Sequence, residues 1–140
     1  MDGLSQYRCN RFINLTGRTV VLHGPNGKPV YTLQGDPEKR ARVAVEYYVV
    51  GVVNNRVPAV RLSYTVRGLP PKLGVDECLI VTMRVAAAIC NNPAYKGYWD
   101  RVYVPNMLKG GLGKVEGYDS RGWFAAKSLI KPCVEVNDSG

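Results

Sequence analysis

Histidine is almost absent from this 140-residue chain and acid is scarce: one His and eleven Asp plus Glu stand against nineteen Lys plus Arg, a net charge of +8. Proton-transfer and nucleophilic chemistry therefore have few members to draw on. His23 precedes a turn with no companion motif and reads as a surface hairpin histidine. Asp36 and Glu38 lie in a polar turn and Asp76 and Glu77 precede an apolar run, the pattern of solvated carboxylates rather than of a paired acid and base. Cys9, Cys78, Cys90 and Cys133 contain no C-x-x-C pair, so neither a metal nor any other cofactor is expected. Cys78 and Cys90 flank LIVTMRVAAAI and read as small buried thiols, and nothing in the spacing argues for a disulfide. No run approaches the roughly 18 apolar residues of a membrane span. The opening MDGLSQYRCNRF lacks the apolar centre of a signal peptide, so a cytosolic protein with no membrane partner is expected.

What is present is enough apolar residue, 46%, for one core. TVVL, then Pro25-Asn26-Gly27-Lys28, then PVYTLQ predicts a β-hairpin over 18–33 turning on Asn-Gly, a dipeptide suited to the two positive φ angles of a type I′ turn. RVAVEYYVVGVV and RVPAVRLSYTV, joined at Asn54-Asn55, predict a second hairpin, with Pro58 near an edge. In its second strand Val60, Leu62, Tyr64 and Val66 alternate with Arg61, Ser63, Thr65 and Arg67, which places both arginines on one face. ECLIVT reads as a buried strand, and MRVAAAICNN as a short helix over about 83–91, stopped by Asn-Asn-Pro. AYKGYW reads as an aromatic loop, DRVYVPN as a strand ended by Pro105, and Asp119–Gly122 as the turn of a last hairpin. The expected fold is α+β: mostly antiparallel sheet, or a partly open barrel built from hairpins, with one short helix. A single domain over 1–132 is followed by a flexible tail over 133–140.

The charge is led by arginine within the strand segments, which favours bidentate recognition of phosphate. Tyr95, Tyr98, Trp99, Tyr103, Tyr118 and Trp123 bracket Arg101 and Lys114, and an aromatic face beside a cation is what a base and its phosphate require. GGLGK at 110–114 lacks the Ser or Thr and the following apolar helix of a nucleotide-triphosphate loop, and reads as a basic loop.

INLTGRTVVL, ARVAVE, RGLPPKLGVDECLIVTMRVAAAI, DRVYVPN and GWFA, in that order over residues 13–126, resemble a family of small bacteriophage-encoded proteins. The family's N-L-T-P-H start is Asn-Leu-Thr-Gly-Arg here, so a role resting on that histidine does not carry over. Matching positions are Asn14, Leu15, Thr16, Arg42, Gly68, Leu69, Pro70, Val104 and Pro105, with Asn14 and Thr16 read as local turn hydrogen-bonders. The resemblance implies a viral accessory protein in the cytoplasm of the infected host cell. There it would sequester a small anionic nucleotide signal without catalysis, as a homo-oligomer with pockets between subunits. Arg42, Arg101 and Lys114 are the expected phosphate contacts and Tyr98 or Trp99 the stacking face, with Arg18 and Asn106 completing the set. A nucleic acid tracked by the same arginines is the alternative partner, and a virion or assembly role resting on a Tyr-rich interface is the other.

Overall fold

A computed structural model describes residues 9–107, 117–119 and 121–133. The GGLGK loop, with Lys114, lies outside them. Among the described residues the fold is α+β and mostly strand: β1 (Arg11–Asn14), β2 (Val20–His23), β3 (Pro29–Leu33), β4 (Arg42–Val53), β5 (Val57–Arg67), β6 (Glu77–Ile80), helix α1 (Met83–Cys90), β7 (Val102–Met107) and β8 (Phe124–Ile130). Two 3-10 segments, Pro37–Lys39 and Pro93–Arg101, join them, the second replacing the expected aromatic loop.

Six strands form one sheet in the order β1-β6-β7-β8-β2-β3, while β4 and β5 form a ribbon of their own. The β4–β5, β2–β3 and β7–β8 ladders are antiparallel; β1–β6, β6–β7 and β2–β8 are parallel. Parallel neighbours need a crossover, and α1 with the segment after it supplies the one between β6 and β7. The six-stranded sheet curls until its two edges meet. Phe12 of β1 stands edge-on to Tyr31 of β3, ring centroids 6.0 Å apart. Asn14 Nδ2, at the end of β1, donates to the carbonyls of Arg18, Leu33 and Gln34 at 2.7, 3.0 and 3.2 Å. Its Oδ1 accepts from the Thr16 amide and hydroxyl at 3.0 and 2.7 Å. The result is a partly open barrel whose seam is closed by side chains. Asn14 and Thr16 are the local hydrogen-bonders that their residue types predict.

Alternation along β6 and β7 divides the core in two. Ile80 joins Val20, Leu22 and Ala126 inside the curl, with Phe12, Leu33, Tyr103, Phe124 and Leu129 packed against them. Leu79, Val102 and Val104 face outward, under Val85, Ala86 and Ile89 of α1 and Val66 at the root of the ribbon. Leu79 and Ile80 are fully buried, each contributing about 2 kcal/mol of transfer free energy. Alanine-rich MRVAAAIC suits the helix, Thr82 occupies its N-cap, and Asn91 closes it by donating Nδ2 to the Ala87 carbonyl at 2.8 Å. Gly35 is required where it stands, because a Cβ there would overlap the Arg18 carbonyl group.

Five sequence expectations are corrected. The tight turn with positive φ at both central residues is Asn54-Asn55, φ 52° and 56°, in the second hairpin; in the first, only Gly27 is positive and the connection is longer. His23 is buried rather than on the surface, because β2 lies between β3 and β8. Pro105 does not end β7: β6 pairs only as far as Tyr103, so beyond it the proline's missing N–H faces no ladder on that side. The cysteines are not thiols. Cys9 bridges Cys78 and Cys90 bridges Cys133, with Cα atoms 5.6 and 5.1 Å apart and 69 and 43 residues between partners. Finally, buried Cys133 belongs to the core, so the domain reaches past residue 132; the rest of the expected tail lies outside the described residues.

Each bridge is expected to contribute about 2–4 kcal/mol. Alkylation of the folded protein without reductant should label no cysteine, and adding reductant should lower the urea midpoint; four labelled thiols would refute the pairing. Replacing Asn14 by Asp, which turns a carboxylate toward three carbonyl oxygens, should cost about 2 kcal/mol in the same assay.

Candidate functional site

A cleft of about 850 Å3 lies between α1 and the root of the β4–β5 ribbon. It follows from two periodicities. On α1, Arg84, Ala87, Ala88 and Asn91 repeat at i, i+3, i+4 and i+7 and form one stripe, with small alanines leaving room beneath the arginine. On the ribbon, Val43 and Tyr64 line the facing wall, Arg61 and Ser63 border it from the ribbon's other face, and Asn92 and Pro93 close the end. Antiparallel register holds the wall in place: Val43 lies opposite Val66 and Val45 opposite Tyr64. The Val66 amide donates to Tyr95 Oη at 2.8 Å and Asn92 Nδ2 donates to the Tyr64 carbonyl at 3.4 Å, which fastens the outer edge of β5 to the segment after the helix.

Electrostatically the cleft is one-sided. No carboxylate lines it, and neither Arg61 nor Arg84 forms an ion pair or side-chain hydrogen bond among the described residues. The helix C-terminus would oppose an anion, yet two of its carbonyls are already engaged: Ala87 accepts from Asn91 and Ile89 accepts from Trp99 Nε1 at 2.8 Å. Arg84, Arg61 at the rim and an exposed phenol ring at Tyr64 are what remains open to a ligand.

No protein-family model, curated protein or solved structure matches the chain. The site is therefore built from its residues alone.

The residues expected from sequence are dispersed. Tyr98 and Arg101 share a smaller cleft of about 400 Å3, but Tyr98 Oη donates to the Pro70 carbonyl at 2.5 Å and Arg101 Nη1 donates to the Gly74 and Glu77 carbonyls at 2.7 and 2.9 Å. Asp100, ion-paired with Lys131 at 3.6 Å, adds a negative charge to that cleft. Trp99 packs against the core beneath the helix end. Arg18 lies 5.8 Å from the ring centres of both Tyr118 and Phe124, a cation–π position. Asn106 Nδ2 donates to Ser128 Oγ at 2.9 Å. Arg42 is exposed at the start of β4, opposite Arg67. Alternation had placed Arg61 and Arg67 on one face, as the register does; Arg84 was missed, though it is the single charge in an otherwise apolar and alanine-rich helix.

The titratable groups outside the cleft are structural. His23 Nδ1 donates to the Ala126 carbonyl at 3.2 Å, since a carbonyl only accepts, and its Nε2 is buried without a partner among the described residues. Tyr48 Oη donates to the Glu46 carboxylate, and that bond and charge push the phenol's pKa up, the opposite of activation. Asp119 organises the last turn. Its burial opposes ionisation, but the Arg121 guanidinium at 2.6 and 3.1 Å and the amides of Arg121 and Trp123 overcome this and hold its pKa below the usual carboxylate value. Arg121 in turn lies over the Trp123 ring at 3.8 Å.

A depressed carboxylate stabilises the fold above its unfolded pKa and loses that contribution as pH falls through the folded one. Asp119→Asn should thus melt below the parent protein at pH 7. The gap should close as pH falls below about 4, the ordinary Asp value; a gap independent of pH would count against this role.

Proposed function

We propose that this chain is a non-catalytic binding protein that takes a small phosphorylated ligand carrying a planar base, a nucleotide-class molecule, in the cleft between α1 and the ribbon. The observation that carries it is the pair Arg61 and Arg84: two arginines without carboxylate partners among the described residues, Arg84 on the helix stripe and Arg61 at the ribbon's rim, bordering a cleft that no acid lines. Planar donor forks suit phosphate oxygens, and the Tyr64 ring offers a base a face to stack on. Sequestration, the role implied by the resemblance to phage proteins, asks only for affinity. Neither an imidazole nor a carboxylate lines the cleft, which favours holding a ligand over transforming it. Disulfides are at home in an oxidising compartment, so a role in the host cytoplasm requires the cleft to survive reduction.

Calorimetric titration with inorganic pyrophosphate, ADP and a cyclic dinucleotide tests this reading. At least one nucleotide should bind with a Kd below about 10 μM. Arg61→Ala and Arg84→Ala should each weaken it by about 10-fold or more, as expected for a charge-assisted hydrogen bond; Arg42→Ala should not. Absence of binding, or binding indifferent to both cleft variants, would reject the proposal. Repeating the titration with reductant separates the two compartments. A duplex DNA whose affinity falls steeply with salt, while nucleotides fail to bind, would favour the polymer partner instead.

A further inference from the structure

The β4–β5 ribbon carries apolar surface that the rest of the molecule does not cover. Ten of the 14 exposed large apolar side chains among the described residues belong to it, from Tyr47 at 69% and Val49 at 70% to Leu62 at 44%. The register sorts them. Tyr47 lies opposite Leu62 and Val49 opposite Val60, so these four share one face, continuous at its base with the buried Val66 and its partner Val43. The pairs Glu46 with Ser63 and Tyr48 with Arg61 occupy the other, polar face. Beyond the irregularity between Val49 and Gly51, the tip adds exposed Val52 to this face, while Val53 and Val57 lie on the other.

Six of the ten lie on the apolar face, Tyr47, Val49, Val52, Val60, Leu62 and Tyr64, and leave on the order of 600 Å2 in water, taking 150–250 Å2 for a whole aromatic side chain. The largest apolar patch of a typical monomer is about 300–600 Å2, and a stable interface of ordinary size covers about 800 Å2 on each partner. A two-stranded ribbon with neither a third strand nor a covering layer is also marginal in water. Its root is packed, but its outer half is not.

We propose that this surface is covered by a second copy of the chain, the apolar faces of two ribbons packing against each other about a two-fold axis. Three features select an identical partner. Two copies of the patch bury about 1,200 Å2 in total, the lower end of the range for a specific interface, from this chain alone. The interface pairs apolar with apolar and turns Glu46 and Arg61 outward on both copies, so two chains of charge +8 bring no arginine face to face at the contact. And an isologous interface requires nothing but the same self-complementary strip on each copy. The strip adjoins the cleft at Val43 and Tyr64, and the proposal does not depend on the ligand reading of that cleft.

The full chain should sediment at twice its monomer mass at micromolar concentration, without ligand. Leu62→Lys and Val60→Lys, on the exposed apolar face, should each raise the dimer dissociation constant by about 100-fold, the scale of a lost central contact, while circular dichroism and the melting profile confirm folding. Glu46→Gln, on the polar face, should leave the mass unchanged. A wild-type chain that stays monomeric to the highest soluble concentration overturns the proposal, as does a dimer that survives both lysine variants. A monomer that instead partitions onto neutral phosphatidylcholine vesicles would overturn it too, giving the strip to a lipid surface.

Discussion

Six strands in one curled sheet leave two free edges, and a single side-chain amide, Asn14, joins them. Its two N–H donors are directed at three carbonyls, two of them at the end of β3, while its oxygen holds the Thr16 turn that redirects the chain into β2. Were the seam open, Phe12 would leave the inner core and β1 would have only β6 to hold it. The ribbon is rooted at the same place: the Ala41 amide donates to the Leu15 carbonyl at 3.0 Å, and Gly68, φ +92°, passes the Arg40 carbonyl where a Cβ would sit 3.1 Å from its oxygen. The wall of the cleft thus takes its position from the clasp that closes the barrel.

The disulfides work at the opposite end of the same problem. Cys78 lies in β6 and Cys90 at the end of α1, so the two bridges bracket the one buried strand–helix unit and fasten to it a segment from near each end of the chain. Cys9 holds the approach to β1 against β6, and Cys133 holds the exit from β8 under the helix. Arg84 is thus presented on a helix tethered at its C-terminal end by Cys90 and preceded by a strand tethered at Cys78.

Local patterns were legible and distant ones were not. Alternation over 57–67 and the alanine-rich run over 83–90 each express a single period, and both elements stand where those periods place them. The bridges span 69 and 43 residues, and β2 meets β8 across more than a hundred; no spacing encodes such encounters. For the same reason Tyr98, Trp99 and Arg101 were recognisable as polar aromatics and cations but not as donors to Pro70, Ile89, Gly74 and Glu77, carbonyls that only the folded chain brings near. Arginine on one ribbon face and the helix itself were both visible in advance, whereas the packing that brings the helix against the ribbon was not.

The parallel pairing of β2 with β8 has a consequence for synthesis. The ribbon is a local structure, its strands joined by the three residues Asn54, Asn55 and Arg56, and can form as soon as residue 67 has left the ribosome. β2 by then has β3 on one side, but its other side waits for residues 124–126, near the end of the chain. The growing polypeptide therefore spends much of its translation with one finished apolar strip and one unfinished sheet edge. That interval, more than the mature fold, is when a nascent chain of this design is exposed to premature association with its neighbours.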